Sequence, residues 1–321
     1  MIDLQGRVGL VTGSATGAGA ATAIALAERG AGVCINYSRS QADAEATLAK
    51  VKALGVPATI CKADVSDRDQ CAALVAHTVA ELGRLDVLVN NAGMTHFVPH
   101  TDLDGMSSEK WDDILEVNLK GPFYVTTAAM SHLQKSDGAA IVNISSLAGI
   151  GGSGSSIAYA ASKGALITLT QSLARAFAPE VRVNALAPGV ILTRWVEGNE
   201  EFVQQYIDAT ALKKACPPES IAHAVIFLIE SEVITGQTVV MDGGLTLGEG
   251  PTIGTTEGPG KRASPGLFAP MRVGSVAHAE RRVLLHQAER EAVDPVLPAS
   301  YAGQNLEREI RVAASEDDRP W

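Results

Sequence analysis

Short apolar runs alternate with longer amphipathic stretches along the chain as far as residue 247, and this alternation limits the fold more than any other feature. The runs are "RVGLVTG" (7–13), "GVCINY" (32–37), "PATICKA" (57–63), "LDVLVNNAG" (85–93), "AAIVNISS" (139–146), "VRVNALAPG" (181–189) and "QTVVMDGG" (237–244). Most are apolar at consecutive positions. Successive strand residues face opposite sides of a sheet, so both sides of these strands need cover. The stretches between them, about 18–29, 41–54, 67–82, 109–133, 159–177 and 218–229, carry helical patterns that supply it. Right-handed crossovers then give an α/β fold with a doubly wound parallel sheet, whose ligands sit beyond the carboxyl ends of the strands.

Bulk properties exclude several alternatives. The chain has 321 residues and is 46% hydrophobic, enough for a large core. A net charge of −10, with no basic run longer than two residues, argues against nucleic acid or an anionic membrane as partner. No uninterrupted apolar run approaches the ~18 residues of a membrane span. The N-terminus lacks a basic segment followed by an apolar one, so no signal peptide is expected. Cys34, Cys61, Cys71 and Cys216 show no C-x-x-C pairing and no metal-like grouping with the seven histidines. They read as reduced thiols of a cytoplasmic protein, with no metal. Residues 248–321 differ from the rest: they hold seven of the 14 prolines and no further strand–helix alternation. We expect one catalytic domain over 1–247 and a partly flexible C-terminal extension over 248–321, with one amphipathic helix over 277–292.

"VTGSATGAGAATAIAL" follows the first strand and opens a helix, with Gly13, Gly17 and Gly19 in a G-x-x-x-G-x-G spacing. A dinucleotide-binding turn needs glycines for tightness, for close approach of the pyrophosphate and for helix packing, and the helix start offers free N–H groups to phosphate. Other strand ends agree. Asp64 is placed to accept from an adenine amino group or to cap the next helix, a task for which Ser66 and Asp67 are better placed. Asn91 and Gly93 either line a cofactor or make a turn. In "SSIAYAASKGAL" (155–166), Tyr159 and Lys163 are the only large polar side chains among small residues. Four residues apart, they share one helix face.

Together these residues resemble the classical short-chain dehydrogenase/reductases. The matching motifs, in family order over about 4–247, are "TGSATGAG" (12–19), Asp64-Val65, "NNAG" (90–93), Asn118 in "EVNLKG", "NISS" (143–146), Tyr159-x-x-x-Lys163, and Pro188-Gly189 with Thr193. The 3-oxoacyl-carrier-protein reductases and glucose dehydrogenases are especially similar. The resemblance implies a seven-stranded Rossmann-like sheet, a homotetramer or homodimer, and metal-free interconversion of a small-molecule carbonyl and alcohol with NADP or NAD. It makes Tyr159 the general acid or base and Lys163 the group that lowers its pKa and bonds the nicotinamide ribose. Ser146, 13 residues before Tyr159, becomes the donor to the substrate oxygen in preference to Ser145, and Asn118 the holder of a water linking Lys163 to solvent. It assigns cofactor contacts to Gly13, Ser14, Thr16, Gly17, Gly19, Tyr37, Ser38, Arg39, Asp64, Val65, Asn91, Ala92, Gly93, Pro188, Gly189 and Thr193.

Cofactor choice rests on "CINYSRS". Tyr37 stands where NAD-preferring relatives usually carry aspartate, and Arg39 is suited to pairing with a 2′-phosphate, which favours NADP. Against this, Thr16 stands where many NADP-preferring relatives carry a basic residue. The expected substrate wall comprises Met94, His96, Ile150, Val190 and Trp195, with Phe202 and Tyr206 on a lid helix over 197–211. "FLIESEVITGQ" (227–237) is shorter than the usual family link, so an altered turn is expected there. The competing reading is a non-catalytic dinucleotide-binding regulator of the same fold.

Overall fold

A computed structural model describes residues 1–247. The expected extension over 248–321, with its helix over 277–292, lies outside the described residues.

Seven parallel strands form the sheet: β1 (Val8–Val11), β2 (Gly32–Tyr37), β3 (Ala58–Lys62), β4 (Val87–Asn90), β5 (Ala139–Ile144), β6 (Val181–Pro188) and β7 (Thr238–Met241), in the order β3-β2-β1-β4-β5-β6-β7. Neighbouring side chains along a strand enter opposite cores. Val11, Val33, Ile35, Val89 and Val142 pack with Leu26, Val225 and Ile229 on one face. Leu10, Cys34, Leu88, Ile141 and Val183 pack with Leu74, Val125 and Leu133 on the other. The sequence is apolar on both sides of these strands because both sides are covered.

The helices are α1 (Gly17–Glu28), α2 (Gln41–Ala53), α3 (Arg68–Leu82), α4 (Ser108–Leu115), α5 (Gly121–Leu133), α6 (Ala148–Gly151), α7 (Ile157–Phe177), α8 (Glu200–Ala209) and α9 (Pro218–Glu230). Asp67 caps α3 by accepting from Asp69 N (2.9 Å) and Gln70 N (3.1 Å). Ser156 caps α7 by accepting from Tyr159 N at 3.2 Å, which starts that helix two residues earlier than expected.

One expectation fails in detail. The single helix over 109–133 is interrupted by a π turn over Glu116–Lys120. Pro122 carries no N–H, so the Asn118 carbonyl loses the donor that an α-helix would supply four residues on. The short link after α9 closes on β6: Val183 N donates to Thr235 Oγ1 (3.1 Å), and Gly236 N donates to the Val183 carbonyl (2.8 Å). The four cysteines are free thiols. Among the described residues no helix is long and apolar enough to cross a membrane.

The strand order reverses between β1 and β4, which leaves a crevice at their carboxyl ends. The segments that follow β1, β4, β5 and β6 all begin there.

Candidate active site

The glycine loop is held from beneath. The Asn36 carboxamide, at the end of β2 and 2% exposed, accepts from Gly13 N at 3.0 Å and donates to the Ala63 carbonyl at 3.0 Å. Ser14 is buried, and its hydroxyl donates to the Val11 carbonyl (2.6 Å) while accepting from Asn36 N (3.1 Å). Its side chain therefore braces the loop instead of facing a ligand. Asn91 does the same: its amide donates to the Thr12 and Gly13 carbonyls at 2.9 and 3.1 Å. A Cβ on Gly19 would lie 2.5 Å from both Asn91 Nδ2 and the Gly13 carbonyl, so the close packing of α1 on the loop requires glycine there. Gly13 has φ +61° and backs onto Ala92.

Thr16 is the N-cap of α1 and makes no side-chain cap bond, unlike Asp67 and Ser156 on their helices. A tight glycine loop with an uncapped helix start fits a dinucleotide phosphate. Asp64 Oδ1 accepts from Ser66 N (3.0 Å) and Ser66 Oγ (2.7 Å). Val65 is buried against Gly121. Tyr37 packs into the core, leaving Ser38 and Arg39 as the exposed side chains at the end of β2.

Across the crevice, β5 and α7 bring Ser146, Tyr159 and Lys163 together. Ser146 is half-buried, and its hydroxyl accepts from Ala148 N at 3.1 Å beside the Tyr159 phenol. Ser145 is buried, with its hydroxyl donated to the Lys163 carbonyl at 2.8 Å, so it holds the strand to the helix. Lys163 is 4% exposed. Its Nζ donates to the Ile144 carbonyl at 2.8 Å and lies 5.7 Å from the Tyr159 ring centroid. Burial pushes its pKa down from the ordinary 10.5 to about 8. Burial also raises the Tyr159 pKa, with the Ser146 hydroxyl acting the other way. In the protein alone, desolvation outweighs the Ser146 hydroxyl.

Asn118 sits in the π turn before α5. It is fully buried, accepts from Met94 N (2.8 Å), and donates to the Met94 carbonyl (2.9 Å) and Ser162 Oγ (3.1 Å). Its side chain ties the loop after β4 to α7 and has no donor left for a water. Gly93 sits beside this tie; a Cβ there would lie 3.4 Å from Asn118 Oδ1 and 3.6 Å from Lys163 Nζ.

Of the expected substrate wall, Trp195 is the side chain that meets Tyr159. Its ring stacks edge-on against Tyr159 at 6.3 Å between centroids. His96 pairs with Asp113 at 3.0 Å, Ile150 is half exposed, and Met94 is half-buried beside Asn118. The Val190 carbonyl accepts from Cys216 N at 3.0 Å. Tyr206 is an anchor: its hydroxyl donates to the Asp242 carbonyl at 3.2 Å and occupies the space a Gly189 Cβ would need. Phe202 is exposed on α8, which is shorter than the expected 197–211 helix. Pro188 ends β6 in the core, and the Thr193 methyl lies 3.1 Å from where a Gly17 Cβ would be.

Two residues were missed in the sequence. Asn36 lies inside an apolar strand, and only its neighbours reveal its task. Arg194 donates to Thr16 Oγ1 (2.7 Å) and Asp43 Oδ2 (3.0 Å), partners 178 and 151 positions away.

Geometry of this kind defines a class, and comparison identifies it. The family model described as "Enoyl-(Acyl carrier protein) reductase" matches residues 13–246. The chain belongs to the short-chain dehydrogenase/reductase family and is an oxidoreductase of that family. It is 42% identical to the putative ketoacyl reductase 2 of the granaticin polyketide synthase from Streptomyces violaceoruber, over 75% of this chain and 96% of that protein. It is 37% identical to the 3-oxoacyl-[acyl-carrier-protein] reductase FabG of Staphylococcus aureus, over 74% and 96%. Among solved structures, a putative short-chain dehydrogenase/reductase from Burkholderia xenovorans has 38% identity and a TM-score of 0.72, covering 75% of this chain and 98% of that one. A short chain dehydrogenase from Burkholderia cenocepacia in complex with NADP has 34% identity and a TM-score of 0.71, covering 76% and 99%.

Proposed function

We propose that the protein is a nicotinamide-dependent carbonyl reductase that uses Tyr159 as general acid, with NADPH favoured as reductant and a 3-oxoacyl thioester as the substrate class to test first. The observation that carries this reading is the placement of Tyr159 at the capped start of α7, beside the Ser146 hydroxyl, with Lys163 one turn on. The curated relatives named as ketoacyl reductases support the substrate class, and the NADP-bound structural relative supports the cofactor.

The glycine loop of Gly13, Gly17 and Gly19 and the N–H groups at the start of α1 would hold the dinucleotide phosphates. When bound, the dinucleotide supplies the hydride for the carbonyl carbon. The protein handles the proton. Burial raises the Tyr159 pKa, so the phenol stays protonated at neutral pH and is ready to donate to the carbonyl oxygen. Ser146 donates to the same oxygen and stabilises the charge that develops there. Lys163 keeps two N–H donors beyond the one given to Ile144, available for ribose hydroxyls. The Asn118 carbonyl, not its amide, is the atom left to hold a water beside Lys163. Trp195 covers Tyr159 and limits water at the site. The same reading places the enzyme in the cytoplasm as a homo-oligomer.

The test is oxidation of NADPH and NADH by the full chain against 3-oxoacyl thioesters, ketosteroids, cyclic diketones, sugars and a 2-enoyl thioester. Turnover of a ketone with little on the enoyl compound supports the reading. Cofactor binding with no turnover on any ketone would turn it toward a regulator.

A further inference from the structure

We propose that Arg194 is a specificity-determining residue for the cofactor, supplying from the loop after β6 the cation that recognises a ribose 2′-phosphate. This rests on the reading of the crevice as a dinucleotide site.

Thr16, in the glycine loop, carries no charge. The Arg194 guanidinium occupies the adjoining space instead, with Nη2 2.7 Å from Thr16 Oγ1 and Nη1 3.0 Å from Asp43 Oδ2 in the first turn of α2. It therefore bridges the glycine loop and the helix that follows Ser38 and Arg39. In this fold the end of the second strand meets the adenosine ribose, and an arginine there accommodates a 2′-phosphate. The described residues thus put two guanidinium groups on that side of the crevice, one from each wall. Arg39 has no ion-pair partner among the described residues. Arg194 is held by its neighbours: the Thr193 side chain rests on Gly17, and the Trp195 ring rests on Tyr159.

The pairing with Asp43 is suited to exchange. Both side chains are about half exposed, at 54% and 45%, and such surface pairs are weak because water and salt screen them. A phosphate with close to two negative charges offers a guanidinium stronger, bidentate bonds than a solvated carboxylate does. Asp43 also repels that phosphate. In this arrangement Asp43 parks Arg194 at the crevice edge, and the 2′-phosphate takes it over.

Equilibrium binding of 2′,5′-ADP and 5′-ADP to the full chain tests this without turnover. Arg194→Ala is expected to weaken 2′,5′-ADP about tenfold and leave 5′-ADP within about twofold, with Arg194→Lys between wild type and the alanine variant. Asp43→Asn is expected to tighten 2′,5′-ADP by roughly threefold, because it frees the guanidinium and removes a repelling charge. Equal losses for both nucleotides, or no loss for either, would overturn the inference while leaving the dinucleotide site intact, as would weaker 2′,5′-ADP binding in Asp43→Asn. Failure of the wild-type chain to bind either nucleotide or NADPH would overturn the reading of the site itself, and this inference with it.

Discussion

The Lys163 ammonium lies 5.7 Å from the centroid of the Tyr159 ring, yet its hydrogen bond goes to the Ile144 carbonyl at the end of β5. The two side chains share a helix face, and each is desolvated by the same packing. That packing moves their pKa values apart, the ammonium down to about 8 and the phenol up.

Lys163 gives a pH signature. Its pKa is about 8 in the folded chain and near the ordinary 10.5 when unfolded. Between these values the unfolded chain holds the extra proton, so this group makes stability rise with pH from 8 to 10.5. The change is at most about 3 kcal/mol. Cys34 and Cys71, both pushed up to about 12 by burial, act oppositely above their ordinary 9, but they are present in any Lys163 variant. The stability of wild type minus that of Lys163→Met, from urea unfolding without cofactor, should therefore climb over pH 8–10.5. A flat difference would show that burial does not depress this ammonium.

Asn36 should matter beyond its size. Asn36→Leu leaves the Gly13 N–H and the Ala63 carbonyl without their partner. Each buried orphan costs about 1–3 kcal/mol. We expect a clear drop in Tm and at least about tenfold weaker NADPH binding, since the same bonds shape the glycine loop. Unchanged nucleotide affinity would mean that the loop holds its shape without Asn36.

Much of this site was legible because its chemistry is local. Gly13, Gly17 and Gly19 lie within seven residues, and Tyr159 and Lys163 lie one turn apart, so spacing alone carries their geometry. Ser146 was separated from Ser145 by its distance to Tyr159, and the bond from Ser145 to the Lys163 carbonyl explains why the two serines differ. Less legible were residues whose partners come from other segments. Asn36 looks like a polar interruption of β2, and Arg194 like a surface charge, until Gly13, Thr16 and Asp43 are placed beside them. The π turn at Asn118 follows from Pro122 four residues on, a local cue hidden within a helical pattern.

Arg39 gives a second test of cofactor choice. Arg39→Ala should raise the KM for NADPH more than that for NADH, by about tenfold against less than about threefold. Equal effects on both would remove Arg39 from the specificity argument.

Proton delivery by Tyr159 is the step on which the proposed reaction rests. The most direct measurement is the single-turnover rate of ketone reduction by Tyr159→Phe, with NADPH affinity measured on the same preparation. We expect a rate lower by roughly 100-fold or more with NADPH affinity within about twofold of wild type. A rate near that of wild type would contradict it.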